Sequence, residues 1–299
     1  MSNESNPLSQ LSEGLADAIE AAGRSVVAVA ARRHVPASGI VWAPGVIVTA
    51  DHALERDDNI IVVSPTGVES LATIAGRDPG SDLAVLKVTG DFVPAARGGA
   101  VRIGNLVAAV GRTGADGLSA SVSTVVSLGG PWRTGRGTQV GGYIRSEVTF
   151  YPGYSGGPLI DLEGRVVAIN SSRLGRGGGL SIPIAAATPL IESLLTAGRI
   201  RRGYLGIGSQ PVKLSAAQAA AAGGQETALL ITGITDGGPA ATAGLAAGDI
   251  LYRFNGLSLA DTGDLQAALG PETVGVSTLA SLLRGGAAVE VAVVVGERE

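Results

Sequence analysis

A glycine-rich segment around Ser155 carries the strongest chemical signal in the chain. Residues 152–159 read Pro-Gly-Tyr-Ser-Gly-Gly-Pro-Leu. Glycines on both sides of a serine permit a tight loop that pushes the hydroxyl outward and exposes backbone N–H groups beside it. A serine acyl-transfer enzyme needs both features, a presented nucleophile and donors for the oxyanion. A plain glycine-rich β-turn is the alternative for this segment taken alone.

The positions of the two histidines decide which kind of serine enzyme is compatible with this segment. Gly153-x-Ser155-x-Gly157 also fits the nucleophile elbow of α/β-hydrolases, in which an acid and then a histidine follow the serine. No histidine follows Ser155, because the chain contains only His34 and His52. The elbow is therefore excluded, and the catalytic order must be histidine, aspartate, serine.

His52 is the stronger candidate for the base. It directly follows the apolar run 46–50, so it lies where a predicted strand ends and rigid backbone holds it. Histidine side chains titrate near neutrality, which deprotonation of a serine requires. His34 lies in a polar stretch ahead of a proline, and we interpret it as an ordinary solvated histidine.

Asp82 is the candidate for the residue that orients the imidazole and stabilises its charged form. It stands immediately before the apolar run 83–88, at the entrance of a predicted strand. Asp58 and Asp78 are less closely tied to a predicted strand than Asp82, and we interpret them as turn residues. A turn-forming role also suits Asp82 taken alone. Its assignment as the orienting residue therefore rests on the order of histidine, aspartate and serine along the chain.

The overall composition limits the classes of protein to which the chain can belong. Its 299 residues predict about two domains, and 45% hydrophobic with 16% charged residues exclude intrinsic disorder. No apolar stretch is long enough for a transmembrane helix. The absence of cysteine excludes disulfides, thiolate nucleophiles and cysteine-bound zinc, and two histidines leave little room for a metal site. A net charge of −4 argues against nucleic acid as a partner.

The N-terminal residues bear on localisation. The first six residues are polar and lack the basic and apolar regions of a signal peptide. We therefore expect a cytoplasmic location for the chain as given, or a periplasmic or envelope location if an export signal was removed.

Short apolar runs and turn residues predict the architecture. Between residues 26 and 184 the runs recur at roughly ten-residue spacing with Gly, Pro and Asp between them, which is typical of β-barrels or sandwiches. Helical periodicity predicts one helix over 11–22 and another over about 189–197, capped by Thr188 and ended by Gly198. A compact α+β module follows the second helix.

Three sequence blocks together resemble the catalytic blocks of the HtrA (Deg) family of serine proteases. They are Thr-Ala-Asp-His-Ala-Leu at 49–54, Asp-Leu-Ala-Val-Leu-Lys-Val at 82–88 and Gly-Tyr-Ser-Gly-Gly-Pro-Leu at 153–159. Residues 76–78 and 179–183 match the family as well, and the resemblance runs from about Leu15 to the C-terminus.

The resemblance implies a mainly β chain, with a chymotrypsin-like double β-barrel followed by a small α+β PDZ domain. The implied domains are an N-terminal helical segment at 1–24, a trypsin-like serine protease domain at 25–200 and a PDZ domain at 203–299. His52 would be the general base, Asp82 its orienting partner and Ser155 the nucleophile. The N–H groups of Gly153 and Ser155 would form the oxyanion hole.

Residues 202–207, Arg-Gly-Tyr-Leu-Gly-Ile, resemble the carboxylate-binding loop of PDZ domains in this family. The predicted loop comprises Tyr204, Leu205, Gly206 and Ile207. Its successive N–H groups would receive the C-terminus of a peptide, and the strand that follows would accept an added β-strand. The blocks at 239–251 and 255–256 fit the same domain. Leu265 and Leu269 either line the peptide groove or pack in the core.

The chain departs from the family pattern at Tyr154, where the family usually carries asparagine. Tyrosine cannot form the ion pair that an aspartate at this position makes with a newly cut N-terminus in zymogen-type relatives, so activation by N-terminal cleavage is not expected. Phe150 and Tyr151 add two aromatics beside the nucleophile. The three aromatics either order the loop and contact substrate or pack in the core. Thr149 stands where trypsin-type enzymes place an acid in the primary pocket, which predicts cleavage after small or medium aliphatic residues.

The residues and the resemblance together predict an ATP-independent serine endopeptidase that degrades unfolded or misfolded polypeptides. Its PDZ domain would capture peptide C-termini or regulate the protease, and neither a cofactor nor a metal is implied. The alternative is a peptide-binding scaffold or chaperone whose protease domain is silent. A homotrimer is expected from the resemblance alone.

Overall fold

The structure, a computed structural model, describes residues 6–114, 117–134, 138–175 and 179–297. The chain divides into two compact units, Met1–Ile200 and Arg201–Glu299. The domain boundaries expected at residues 24, 200 and 203 remain predictions. No helix in the described ranges is long and apolar enough to cross a membrane.

The first unit begins with helix α1, Pro7–Gly23. The Asn6 side chain accepts a hydrogen bond from the N–H of Leu8 at 3.1 Å, and proline suits the first helical position. These capping signals start the helix ahead of the apolar periodicity that predicts it over 11–22.

Six strands close the first barrel. They are β1 Val26–Ala30, β2 Ala37–Ala43, β3 Val46–Ala50, β4 Ile60–Val63, β5 Glu69–Asp78 and β6 Leu83–Val88. Their order around the barrel is β1-β2-β3-β6-β5-β4. A 3-10 turn, Asp51–Ala53, follows β3 and holds His52 where that strand ends.

A second six-stranded barrel follows in the same unit. The strands of this region are β7 Leu106–Arg112, β8 Leu118–Gly129, β9 Trp132–Arg133, β10 Gln139–Val140, β11 Tyr143–Ser146, β12 Pro158–Ile160, β13 Val166–Ser171 and β14 Leu180–Pro183. The closed order is β11-β14-β13-β12-β7-β8, while β9 and β10 form a separate two-stranded sheet. Segment 153–157 leads directly into β12.

Apolar side chains fill each barrel and the layer between the barrels. The first barrel buries Val27, Val29, Ile47, Ile60 and Leu86, and the second buries Val107, Ala109, Ile144, Leu159 and Ala168. One further cluster contains Ile40, Val48 and Val85 of the first barrel with Val110, Ile169 and Ile182 of the second. Strands β1, β6 and β7 are buried on both faces, so they carry nearly continuous apolar runs.

Helix α2, Ile184–Ala197, starts earlier than its capping signals predict. The expected cap, Thr188, lies inside the helix, where its hydroxyl donates to the Ile184 carbonyl at 2.8 Å, and Pro189 is also inside. The buried face of α2 comprises Ala187, Ile191 and Leu194. The predicted start is wrong because burial of this face outweighs the local preference of proline for a first turn. The predicted end is confirmed, since Gly198 caps the helix with φ 72°.

The second unit combines a six-stranded sheet with short helices. Its elements are β15 Gly203–Tyr204, β16 Ile207–Lys213, α3 Ala216–Ala221, β17 Thr227–Ile234, α4 Pro239–Thr242, β18 Ile250–Phe254, β19 Leu257–Ser258, α5 Thr262–Ala268, β20 Ser277–Arg284, β21 Ala287–Val294 and β22 Gly296–Glu297. The sheet order is β16-β17-β18-β20-β21, with β19 paired to β18 and β15 paired to β22. Leu265 belongs to the core of this unit, and Leu269 packs against it. Two barrels followed by an α+β unit confirm the predicted fold class.

Candidate active site

His52 and Asp82 are in direct contact. The Nδ1 atom of His52 lies 2.8 Å from Asp82 Oδ2 and 2.9 Å from Oδ1, and the backbone N–H of His52 donates to Oδ1 at 3.0 Å. The histidine side chain is 17% exposed and the carboxylate 2%. A carboxylate beside Nδ1 favours the tautomer that carries its proton there, which leaves Nε2 able to act as a base.

The backbone of Asp82 is held in an unusual conformation. Its φ is 59°, in the left-handed region that aspartate tolerates better than most residues, and its carbonyl accepts a hydrogen bond from the N–H of Asp51 at 3.1 Å. The hydroxyl of Ser171 donates to Oδ2. The carboxylate therefore receives hydrogen bonds on both oxygens, which fixes its plane relative to the His52 ring.

Arg77 on β5 clamps the turn that carries His52. Its Nε donates to Asp51 Oδ1 and its Nη1 to Asp57 Oδ1, both at 2.6 Å, while Nη2 reaches the carbonyls of Asp51 and Leu54 at 3.3 and 3.2 Å. Burial disfavours the charged guanidinium, but the hydrogen bonds and charges of the two aspartates outweigh it and raise the pKa of Arg77. The 3-10 turn is thus tied to the neighbouring strand through the planar fork of an arginine.

Segment 153–157 presents Ser155 on a loop that glycine makes possible. Gly153 and Gly156 have φ of 98° and 82°, and a Cβ at Gly156 would collide with the Ser38 carbonyl. The N–H of Gly156 donates to Asn170, whereas the N–H groups of Gly153 and Ser155 have no acceptor within the described part of the chain. Two backbone donors beside one hydroxyl are what an oxyanion hole requires.

Ser38 on β2 connects this loop to the first barrel. Its Oγ donates to the Gly153 carbonyl at 2.6 Å and accepts from the N–H of Arg112 at 2.8 Å, while its own N–H donates to the Ser155 carbonyl at 3.2 Å. The hydroxyl of Thr49, three residues before His52, donates to the Ser38 carbonyl at 2.7 Å. Ser38 is therefore hydrogen-bonded both to the strand that precedes His52 and to the loop that carries Ser155.

The Ser155 hydroxyl is hydrogen-bonded to Ser172. The two Oγ atoms are 2.8 Å apart, and the N–H of Ser172 donates to Ser155 Oγ at 3.1 Å. Among the described residues, no hydrogen bond joins Ser155 Oγ to His52. Because Ser171 contacts Asp82 and the next residue contacts Ser155, the end of β13 brings the aspartate and the serine to one place.

The aromatic residues near Ser155 have different environments. Tyr154 is 1% exposed, belongs to the core of the second barrel and lies against Gly111, where a Cβ would collide with its ring. Burial raises the pKa of the Tyr154 hydroxyl. Tyr151 packs edge-on against this ring at 5.6 Å and is itself 55% exposed. Tyr154 therefore anchors the loop through its packing in the core of the second barrel.

The predicted PDZ loop joins β15 to β16. Leu205 is buried, Gly206 has φ 76°, and their carbonyls accept hydrogen bonds from Ala240 and Thr235. In the described ranges the N–H groups of Leu205 and Gly206 have no acceptor. The Tyr204 hydroxyl donates to or accepts from Thr235 Oγ1 at 3.1 Å, so its side chain holds the loop at its entrance.

Sequence reasoning identifies His52, Asp82 and Ser155 but misses four residues that contact them or their loops. These are Ser38, Arg77, Ser171 and Ser172. Ser171 and Ser172 carry a usable signal, because they end an apolar run as His52 does. Ser38 sits inside a strand and shows none, and Arg77 lies in the 76–78 block, whose match to the family does not indicate the role of its side chain. His34 is exposed, as expected of a solvated histidine.

Family models match segments of both units of the chain. The trypsin-like peptidase domain family matches residues 37–169, and the PDZ domain family matches residues 230–279. A probable periplasmic serine endoprotease DegP-like of Halomonas elongata is 33% identical over 274 residues, which cover 89% of this chain and 57% of the relative. Its counterpart in Pseudomonas fluorescens is 32% identical over 265 residues, 86% of this chain and 55% of the relative. The chain thus spans little more than half the length of these relatives.

Solved structures extend the match to nearly the whole chain. The serine endoprotease from Yersinia pestis is 26% identical, with a TM-score of 0.77 and coverage of 95% of this chain and 98% of that chain. The HtrA-type protease AlgW with decapeptide, at 24% identity, shares the fold with a TM-score of 0.76 over 95% of this chain and 99% of its own. The chain thus carries a trypsin-like peptidase domain and a PDZ domain, and over most of its length it is similar to DegP-like and HtrA-type serine endoproteases.

Proposed function

We propose that the chain is an ATP-independent serine endopeptidase that cleaves unfolded or misfolded polypeptides. The observation that carries the proposal is the His52–Asp82 pair next to a loop on which Ser155 stands beside two free N–H donors. The substrate class comes from the family. The relatives that match this chain are described as endoproteases, and an unfolded segment is the form of polypeptide whose backbone is free to reach Ser155.

The proposed mechanism has two stages, transfer of the acyl group to Ser155 and hydrolysis of the resulting ester. Ser155 Oγ forms a bond to the scissile carbonyl carbon as its proton passes to His52 Nε2, and Asp82 stabilises the resulting imidazolium. The N–H groups of Gly153 and Ser155 receive the oxyanion. The C–N bond then breaks, and His52 returns the proton to the leaving amine. A water molecule next gives a proton to His52 and attacks the ester carbon, and His52 returns that proton to Ser155 Oγ as the bond between Oγ and the acyl carbon breaks.

The second unit supports a peptide-binding role. Strand β16 is the last strand of its sheet in the described ranges, so its outer edge can pair with an added strand, and α5 lies alongside it. Free N–H groups at Leu205 and Gly206 stand at the start of this edge. We assign this place to the C-terminus of a polypeptide, with Tyr204 and Ile207 bounding the loop. Capture of such an end would hold a substrate or regulate the protease.

Localisation and assembly follow from the relatives and are part of the proposal. The matching relatives are described as periplasmic, which favours an envelope location. A homotrimer is the assembly proposed from the family. Fractionation of cells with antibody detection and light scattering of the purified chain test the two points separately.

Two measurements on the full chain test the proposed function. Wild-type protein should hydrolyse casein and become labelled at Ser155 by a fluorophosphonate, whereas Ser155→Ala should do neither while keeping its thermal unfolding temperature. His34→Ala is the matched control and should retain full activity, because that side chain is exposed and no hydrogen bond joins it to His52, Asp82 or Ser155 in the described ranges. Absence of both labelling and turnover in the wild type would favour the silent scaffold.

A further inference from the structure

Ser172 makes two contacts with the hydroxyl of Ser155. Its Oγ lies 2.8 Å from Ser155 Oγ, and its backbone N–H donates to the same atom at 3.1 Å. Ser172 is the first residue after β13 and is exposed to solvent. An exposed hydroxyl that could bond to water instead engages the atom proposed as the nucleophile.

Either direction of the hydroxyl–hydroxyl bond opposes attack by Ser155. A hydroxyl has one proton and two lone pairs. If Ser172 donates, both lone pairs of Ser155 Oγ accept hydrogen bonds from Ser172, and neither is free to attack a carbonyl. If Ser155 donates, its proton points to Ser172, which is too weak a base at neutral pH to remove it.

The loop that carries Ser155 does not depend on Ser172 for its shape. Gly156 donates to the Asn170 carbonyl at 2.8 Å, Gly157 donates to the Tyr154 carbonyl at 3.0 Å, and Ser38 holds the carbonyl of Ser155. These bonds persist when the Ser172 hydroxyl is removed. The hydroxyl thus acts on the orientation of one side chain and leaves the backbone of the loop unaffected.

Ser171 and Ser172 have opposite relationships to the candidate catalytic residues. The Ser171 hydroxyl donates to Asp82 Oδ2 and holds the carboxylate that orients His52. The Ser172 hydroxyl is hydrogen-bonded to Ser155 Oγ, which makes no hydrogen bond with His52 among the described residues. We propose that Ser172 restrains the nucleophile in the resting enzyme, and that Ser155 must leave Ser172 before it can attack. This inference rests on the proposed function, because it requires Ser155 to be the nucleophile.

The test compares labelling rates in the full chain. In labelling, Ser155 Oγ forms a bond to phosphorus, fluoride leaves, and the hydroxyl proton passes to His52. Ser172→Ala should be labelled about three- to tenfold faster than wild type, the range expected for losing one neutral hydrogen bond. Ser172→Thr keeps the hydroxyl and should be labelled at the wild-type rate.

Ser193→Ala is the matched control for loss of a hydrogen-bonded serine hydroxyl, since Ser193 on α2 donates to the Arg199 carbonyl. It should match wild type. The pH at which the labelling rate is half of its maximum should be the same in all variants. Ser172 carries no titrating group, and His52 keeps its contact with Asp82. A rearranged histidine–aspartate pair would move that pH, and a loosened fold would lower the thermal unfolding temperature.

The outcomes separate this inference from the proposed function. A wild type that is labelled, with Ser172→Ala equal to it or slower, overturns the restraint and leaves the endopeptidase standing. A Ser172→Thr variant as fast as Ser172→Ala also overturns it, because the hydroxyl would then not be the cause. If neither wild type nor Ser172→Ala is labelled at Ser155, both proposals fail.

Discussion

Ser38 Oγ and the Gly153 carbonyl oxygen, 115 residues apart in the chain, are joined by a hydrogen bond of 2.6 Å. Ser38 belongs to the barrel whose strand end carries His52, and Gly153 to the loop that carries Ser155. A base and a nucleophile on different barrels keep their mutual geometry only if contacts between the barrels are fixed. A displacement of about 1 Å at a reacting centre can cost about a hundredfold in rate.

Replacement of Ser38 by alanine should therefore lower activity. The Gly153 carbonyl and the Arg112 N–H would lose a buried partner, which costs about 1–3 kcal/mol of folding stability. We expect kcat to fall about tenfold or more with KM changed little, because the loss affects alignment. Ser146→Ala is the control, since the buried hydroxyl of Ser146 has no hydrogen-bond partner among the described residues. Equal kcat values for the two variants would contradict the linking role of Ser38.

Arg77→Lys should reduce activity even though it keeps the charge. One ammonium cannot reproduce the four contacts that the guanidinium makes with Asp51, Asp57 and Leu54, so the turn with His52 loses its clamp. A several-fold drop in kcat, measured with a peptide substrate, is expected. Arg165→Lys serves as control, because Arg165 also pairs with two acids but is 41% exposed and lies in a turn. A drop of the same size in both variants would show that Arg77 has no particular role in holding the turn with His52.

Cleavage should occur after small or medium aliphatic residues such as Val, Ala or Leu. Thr149 supplies no carboxylate in the position where trypsin-type enzymes place an acid, and a lysine or arginine charge buried without a partner costs several kcal/mol. Sequencing of products from a peptide library measures the preference. Thr149→Asp should shift it toward basic residues. Dominant cleavage after Lys or Arg by the wild type would show that the pocket is built from other residues.

The second unit should bind peptides by their free C-termini. An apolar-ended peptide titrated into the full chain carrying Ser155→Ala should bind at micromolar strength, and its amidated form about tenfold or more weakly, because the N–H groups of Leu205 and Gly206 lose a charged acceptor. Gly206→Ala should also weaken binding, since φ 76° disfavours a side chain. Gly223→Ala, at φ 75° with open space around it, reproduces that strain elsewhere and should bind normally. Equal affinity for acid and amide would exclude a carboxylate site.

Acid should destabilise the second unit through Asp249. A hydrogen bond from Arg284 is the main cause that lowers the pKa of Asp249, with the Ala246 N–H adding to it and burial opposing it. A carboxyl with a lower pKa in the folded state stabilises the fold fully above its unfolded pKa of about 3.9 and loses that contribution as pH falls through the folded value.

Calorimetry of the full chain at several pH values tests this. Asp249→Asn should lower the unfolding temperature of the second unit at pH 7 and reduce its further loss below about pH 4. Asp236→Asn, at an exposed aspartate of the same unit, should leave both unchanged. A wild-type acid dependence that persists fully in Asp249→Asn would assign it to other carboxyls.

The sequence by itself determines which side chains can do chemistry and the order in which they occur. His52 and Asp82 stand at the ends of apolar runs and Ser155 stands among glycines, and such signals lie within a few residues of each position. The same kind of local signal places some of the barrel strands, such as 46–50 and 83–88, and the Gly198 end of α2. Short windows of sequence suffice here because turns, caps and strand ends depend on neighbouring residues.

Only the tertiary structure decides which hydroxyls surround these side chains. In the sequence, Ser38 and Ser171 look like ordinary strand serines and Ser172 like the residue that follows a strand. Each acquires its role from a partner at least 17 residues away. Barrel closure and strand register set those partners, and a register slip of one residue would turn each serine to the opposite face. The start of α2 is decided in the same way, because burial of its apolar face against the barrels outweighs the local preference of Pro189 for a first turn.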